Sequence, residues 1–138
     1  MKAKRLLLLC ASLLLLVGCS CNKEPEIDAK FLERSSVALE IKGVVQFTYD
    51  PLKDQLSFNE VQRLYRACND TGTEYFTLSC DRLPTTKDQV IRGNLTYTRG
   101  NGVIQEPGLK LNVEKVQGDL AWLWNPDKQI ALCVRTLR

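Results

Sequence analysis

The side chains in this chain that could do chemistry are few, and one omission narrows them further: among its 138 residues none is histidine. Histidine is the usual general base near neutral pH and the commonest metal ligand, so serine or cysteine hydrolysis of the His-dependent kind is excluded. Of the aspartates, Asp70 stands in Asp70-Thr71-Gly72, a carboxylate beside a tight turn. Two such groups, one from each of two copies, could share a proton and activate water, although the tripeptide is equally an ordinary turn. Asp81 and Asp88 flank Leu83-Pro84 and offer oxygens to a hard cation. They lack the Asp-x-Asp-x-Asp spacing of a calcium loop, so a solvated loop without metal or cofactor is expected. Trp122 and Trp124 stand two apart, so on a strand they share a face, and exposed rings spaced in that way stack on sugars or on a protein partner. Leu120 lies on the same face, and an apolar strand face serves equally well as core.

Cysteine offers the other chemistry. Cys10 and Cys19 belong to the first residues of the chain, leaving Cys21, Cys68, Cys80 and Cys133 without any Cys-x-x-Cys spacing for zinc or thiol exchange. In an oxidising compartment Cys68 and Cys80 are the preferred bridge, because the turn-like Asn69-Asp70-Thr71-Gly72 lies between them. A loop of that size would add about 3 kcal/mol. The alternative is four reduced thiols packed as small hydrophobes.

The elements that must position these groups read mainly as strands. Over 37–49 the odd positions Val37, Leu39, Ile41, Val45 and Phe47 alternate with polar ones, which predicts one long strand bent at Gly43. Ile91, Gly93, Leu95 and Tyr97 repeat the device in a second strand. Ser57 with Glu60 has the form of a capping box, and Val61, Leu64, Tyr65 and Cys68 follow at helical spacing, which predicts a helix. Leu56-Ser57-Phe58 reads alternatively as the second arm of a hairpin. Strands over 74–80, 103–113, 120–124 and 130–134 are separated by turns at Arg99-Gly100-Asn101-Gly102, Gln117-Gly118-Asp119 and Asn125-Pro126-Asp127-Lys128. The last strand is apolar on both faces and should be covered on both. The expected fold is a small antiparallel β-barrel, OB-like, with about one helix; the alternative is an α+β antiparallel sheet carrying that helix.

Charge excludes another class of partner. The 19 Lys and Arg include Lys2, Lys4 and Arg5, and without those the remaining 16 balance the 16 Asp and Glu. Basic and acidic residues also alternate along the chain, so the clustered positive charge that nucleic acid requires is missing.

Leu16-Val17-Gly18-Cys19 follows a basic start and a nearly unbroken apolar run over 6–17, about half of what spans a bilayer. This resembles the signal and lipobox of bacterial lipoproteins. The resemblance implies that residues 1–18 are removed, that Cys19 becomes the acylated first residue, and that residues 19–34 form a tether to a single β-rich domain over 35–138. Burial of acyl methylenes, about 0.8 kcal/mol each, makes two or more chains a stable anchor. Ser20 behind the cysteine implies the outer membrane, on its periplasmic or surface face. Together with Ile41-Lys42-Gly43-Val44-Val45, Leu78-Ser79-Cys80-Asp81-Arg82-Leu83-Pro84 and Val90-Ile91-Arg92-Gly93-Asn94-Leu95, the chain resembles small Bacteroidetes lipoproteins with OB-like or similar barrel domains. The function this implies is a membrane-anchored, non-catalytic binding or accessory module of the cell envelope, with a glycan or an envelope protein as partner. A structural or assembly lipoprotein that grips an envelope protein through a strand edge is the alternative. A dimeric aspartic-type hydrolase is remote: Cys68-Asn69 precedes Asp70 where hydrophobic residues belong, and Arg92 interrupts the hydrophobic pair before Gly93.

Overall fold

Period-two alternation of apolar residues buries one face of an extended chain, and that pattern runs through most of this sequence. The computed structural model describes residues 36–137; the expected signal over 1–18, the expected tether over 19–34, Cys19 and Cys21 lie outside the described residues. Nine strands follow one another: β1 (Ala38–Ile41), β2 (Val44–Thr48), β3 (Gln55–Asn59), β4 (Leu64–Cys68) and β5 (Glu74–Cys80). They continue as β6 (Val90–Arg99), β7 (Gly102–Gln117), β8 (Leu120–Asn125) and β9 (Ile130–Arg135). All pair antiparallel in one sheet of order β2-β1-β9-β8-β7-β6-β5-β4-β3, curled into a half-barrel with β2 and β3 as its two edges. The expected mainly-β antiparallel class holds, but nine strands replace the five of an OB barrel.

No helix occurs among the described residues, which corrects both the expected helix and the α+β alternative. Residues 57–68 instead form the β3–β4 hairpin, with Leu56 opposite Ala67 and Phe58 opposite Tyr65. Phe58 and Tyr65 stack with ring centroids 4.8 Å apart. Val61, Leu64, Tyr65 and Cys68 keep the period of a helix, but Leu56 and Phe58 and then Tyr65 and Ala67 keep that of a strand, and burial decides between them: Tyr65 and Ala67 enter the core while Val61 is 86% exposed in the turn. Asn59, whose side-chain oxygen accepts the Gln62 backbone N–H, closes that turn.

The long strand expected over 37–49 is a hairpin as well. Lys42 and Gly43 have φ of 53° and 79°, the two positive values that a two-residue hairpin turn requires. Gly43 is therefore a turn residue and not the bend of one strand. The bend expected at Gly93 is present, since the β6–β7 register shifts between Gly93 and Leu95. Opposite this bulge lie Pro107 and Gly108, the latter at φ 64°. The Asn94 side chain accepts the Gly108 N–H at 2.8 Å, and Arg92 donates to the Gly108 carbonyl at 3.1 Å.

β7 has different neighbours along its length. Its first part, through Asn112, pairs with β6, whereas β8 pairs only with the stretch from Asn112 to Gln117. The sheet folds over at this strand and brings its two halves face to face. Phe47 of β2 meets Phe76 of β5 edge-on at 5.7 Å, and the Tyr65 and Thr136 hydroxyls are hydrogen-bonded at 2.9 Å. Between the halves lies the main core, which includes Leu39, Leu78, Ile91, Leu111 and Leu132. β9 is buried on both faces, as its sequence predicts.

Candidate binding surface

β8 carries both tryptophans, on the face of the sheet opposite the main core. Spacing two apart does put Trp122 and Trp124 on one side, next to Leu120, Ala131 and Cys133. That side is not an open platform. Trp122 is only 2% exposed, its ring lies under the Lys115 amine at 5.0 Å, and Trp124 is half-buried.

The remaining predicted residues are dispersed. Cys68, Cys80 and Cys133 are free thiols, and the expected Cys68–Cys80 bridge is ruled out by register. Cys68 sits opposite Tyr75, whereas Ser79, the residue before Cys80, is opposite Leu64. The two cysteines thus occupy opposite ends of the β4–β5 hairpin, about five residues or some 16 Å apart along the strand, far beyond the reach of a disulfide. Burial pushes the Cys80 thiol up to about 12, helped by neighbouring Asp81 and opposed by Arg63; burial does the same to Cys133, opposed by Arg135. Neither thiol is a nucleophile at neutral pH.

Asp70 lies exposed at the tip of the β4–β5 hairpin, where Asn69 and Thr73 staple the turn at 2.9 Å. Asp81 accepts the Arg92 backbone N–H at 3.0 Å, and exposed Asp88 is 3.6 Å from the Lys87 amine. Asp70 thus stands on the β4–β5 turn, while Asp81 and Asp88 stand at the two ends of the β5–β6 connection, each with a partner of its own. Among the described residues no group of three or more His, Cys, Asp and Glu could hold a metal ion.

What the structure does assemble is an unpaired edge at one mouth of the half-barrel. Residues 102–111 of β7 pair with β6 alone and have no strand on their other side among the described residues. Val103 and Ile104 are 56% and 38% exposed there. Asn125 marks where the open stretch begins, its side-chain amide donating to the Lys110 carbonyl at 2.8 Å and so ending the ladder. Beside the edge is a cleft of about 380 Å³ with an apolar floor of Ile41, Ile104 and Ile130. Lys42, Glu106, Asp127 and Lys128 form its charged rim, Lys128 bridging to Glu106 at 3.4 Å.

No family model, curated protein or solved structure matches the chain. The geometry alone carries the reading of this surface. Backbone N–H and C=O groups left open along an edge, next to β-branched side chains, are what an added strand needs, while the rim charges can orient it. One signal in the sequence marks the place: Pro107 follows Val103-Ile104 by three residues, and a proline inside a strand pattern belongs to an edge or a bulge.

The same mouth is held by a polar tie. The Tyr97 hydroxyl donates to the Glu74 carboxylate, and the Gln46 carbonyl of edge strand β2 lies 3.2 Å away. Burial, followed by the hydrogen bond and charge of Glu74, pushes Tyr97 up to about 12. Tyr97 therefore stays a neutral donor, tying β2 to β6.

Proposed function

We propose that this chain is a lipid-anchored, extracytoplasmic and non-catalytic binding module of the cell envelope, which takes an extended segment of an envelope protein along the open edge of β7. The anchor rests on Leu16-Val17-Gly18-Cys19 and the apolar run before it, and on the resemblance to Bacteroidetes-type lipoproteins of the outer membrane. The observation that carries the binding mode is the one-sided pairing of residues 102–111 beside exposed Val103 and Ile104. A protein of the envelope is favoured over a glycan because Trp122, which would have to stack on a sugar ring, is 2% exposed. The balanced surface charge and the scattered carboxylates support binding rather than catalysis or a nucleic-acid partner.

Two experiments test the two parts. Intact mass spectrometry of the detergent-extracted native protein should show a chain that starts at Cys19 with an acyl mass, and a Cys19→Ala variant should lack it. A native chain that starts elsewhere without lipid removes the anchor. Affinity capture from solubilised envelopes should then return a protein partner with the parent and with Trp124→Ala, but not with Val103→Lys, because a lysine on an open edge opposes strand addition. Capture that survives Val103→Lys and fails with Trp124→Ala would move the site to the tryptophan face.

A further inference from the structure

Two arginines outside the β7 edge are held at one cleft by hydrogen bonds to the backbone. Arg63 stands just before β4; its Nε donates to the Cys80 carbonyl at 2.9 Å, while the Cys80 N–H donates to the Arg63 carbonyl at 3.0 Å. Arg92 of β6 is anchored at the bulge, where its Nη1 donates to the Gly108 carbonyl at 3.1 Å. Each guanidinium is thus fixed through one nitrogen, and the other nitrogens have no hydrogen-bond acceptor among the described residues. Both side chains line a cleft of about 350 Å³ together with Ser79, Asn94 and Asp81. Ser79 and Asn94 stand opposite each other in the β5–β6 ladder, on the face away from the core, and Arg92 shares that face two residues from Asn94.

The hydrogen-bonding groups of this cleft are one-sided. Asn94 Oδ1 is taken by the Gly108 N–H at 2.8 Å, which leaves the Asn94 amide nitrogen as a donor. Asp81 Oδ1 is taken by the Arg92 backbone N–H at 3.0 Å, and the other Asp81 oxygen lies 3.9 Å from Arg82 Nε. Donors remain where the carboxylate is already partnered. The backbone at residue 63 is a second observation. Arg63 has φ 51°, after a turn that its own N–H closes on the Glu60 carbonyl at 3.3 Å. Glycine suits that position best, because a positive φ crowds a Cβ. A long charged side chain kept there against that crowding points to a role beyond the turn.

We infer that this cleft binds a phosphate monoester group, with Arg63 and Arg92 as its charged ligands and Asn94 and Ser79 completing the contacts. Two guanidiniums against the single Asp81 leave a positive charge in the cleft, and Arg82 beside Asp81 adds another. A phosphate monoester, at about −1.5 to −2 near neutral pH, matches that charge. Its three strong acceptor oxygens also take more donors than the two of a carboxylate, and guanidinium pairs with phosphate through two parallel hydrogen bonds. The same chemistry serves free phosphate and a lipid headgroup. Binding here does not depend on occupation of the β7 edge or on acylation of Cys19.

The test is proton–nitrogen correlation NMR of the intact protein in an uncharged detergent at constant ionic strength. Inorganic phosphate should shift the Arg63 and Arg92 Nε–H signals and the Gly108 amide saturably, and sodium chloride should not. Short-chain phosphatidic acid forms the second arm. Shifts with both, or with inorganic phosphate alone, support a site for the group itself; shifts with the lipid alone support a headgroup site; shifts with neither overturn the proposal. Arg63→Gly relaxes the positive φ, so the turn still forms, yet it should weaken binding about tenfold or more, as should Arg92→Gln. Asp81→Asn keeps an oxygen for the Arg92 N–H and removes the opposing charge, so it should tighten binding about threefold. Unchanged affinity in both arginine variants overturns the assignment, and so do shifts that sodium chloride reproduces.

Discussion

Over 112–117 β7 pairs with β8, its Asn112 and Val113 are flanked on the other side by Val90 and by the Asp88 and Gln89 backbone, and Val113 is fully buried; over 102–105 the same strand pairs with β6 alone and every residue is exposed. Composition does not separate the two stretches, since both are rich in β-branched residues that suit strands. What separates them is the bend at Pro107-Gly108 and the end of β8 at Asn125, after which no neighbour continues the ladder. One part of the strand thus packs in the core, and the other has an open edge among the described residues.

The comparison breaks most sharply where the inward side chains of β7 are buried, from Leu109 to Val113. Leu111→Ala, at a position with no exposed surface, should cost about 2–5 kcal/mol of unfolding free energy, read by urea denaturation. A loss below about 1 kcal/mol would mean that the two halves of β7 are packed alike. Gly93→Ala comes next. An added Cβ would stand 2.8 Å from Leu78 Cδ1 and 3.1 Å from the Ser79 carbonyl oxygen, so the sheet must shift beside the bulge, at about 1–3 kcal/mol.

Tyr97→Phe sharpens the contrast at the mouth itself. It removes the hydroxyl that ties β6 to Glu74 and β2, for about 1 kcal/mol at neutral pH. Because the folded Tyr97 is raised from 10 to about 12, its contribution is complete below pH 10 and is lost as the pH rises through 12. The parent should lose stability over that window more steeply than the Phe variant, measured by denaturant midpoints. Val103→Lys is the smallest expected effect on stability, within about 0.5 kcal/mol, since the side chain is largely exposed. The same substitution should abolish capture of the partner.

Much of the fold is legible in the residues and much of the site is not. The turns with Gly100 and Gly118 carry the positive φ that glycine announces, and β9 shows by its unbroken apolar run that both its faces are covered. Lys42-Gly43 misleads because the apolar alternation resumes in step on either side of the turn, so a hairpin reads as one bent strand. Residues 57–68 mislead because Val61, Leu64, Tyr65 and Cys68 fit the helical period while Leu56 with Phe58 and Tyr65 with Ala67 fit that of a strand, and only burial chooses between the two sets. The Cys68–Cys80 pairing fails because proximity in sequence across a hairpin is not proximity in space unless the register places the two opposite each other. Trp122 and Trp124 share a face as their spacing requires, yet whether that face is open depends on what lies over it. In the open edge of β7 only Pro107 is a signal in the residues, for a related reason: the partners a strand lacks are a property of the whole sheet.

The most direct measurement is a photo-crosslinking scan in intact cells, with a photoreactive residue placed in turn at positions 103, 104 and 105 and, as a control, at the more exposed position 61 in the β3–β4 turn. Adducts to one envelope protein from 103–105 and none from 61 are the predicted result. No adduct from 103–105, or equal yields from 61, would contradict the assignment of the open half of β7 as the binding edge.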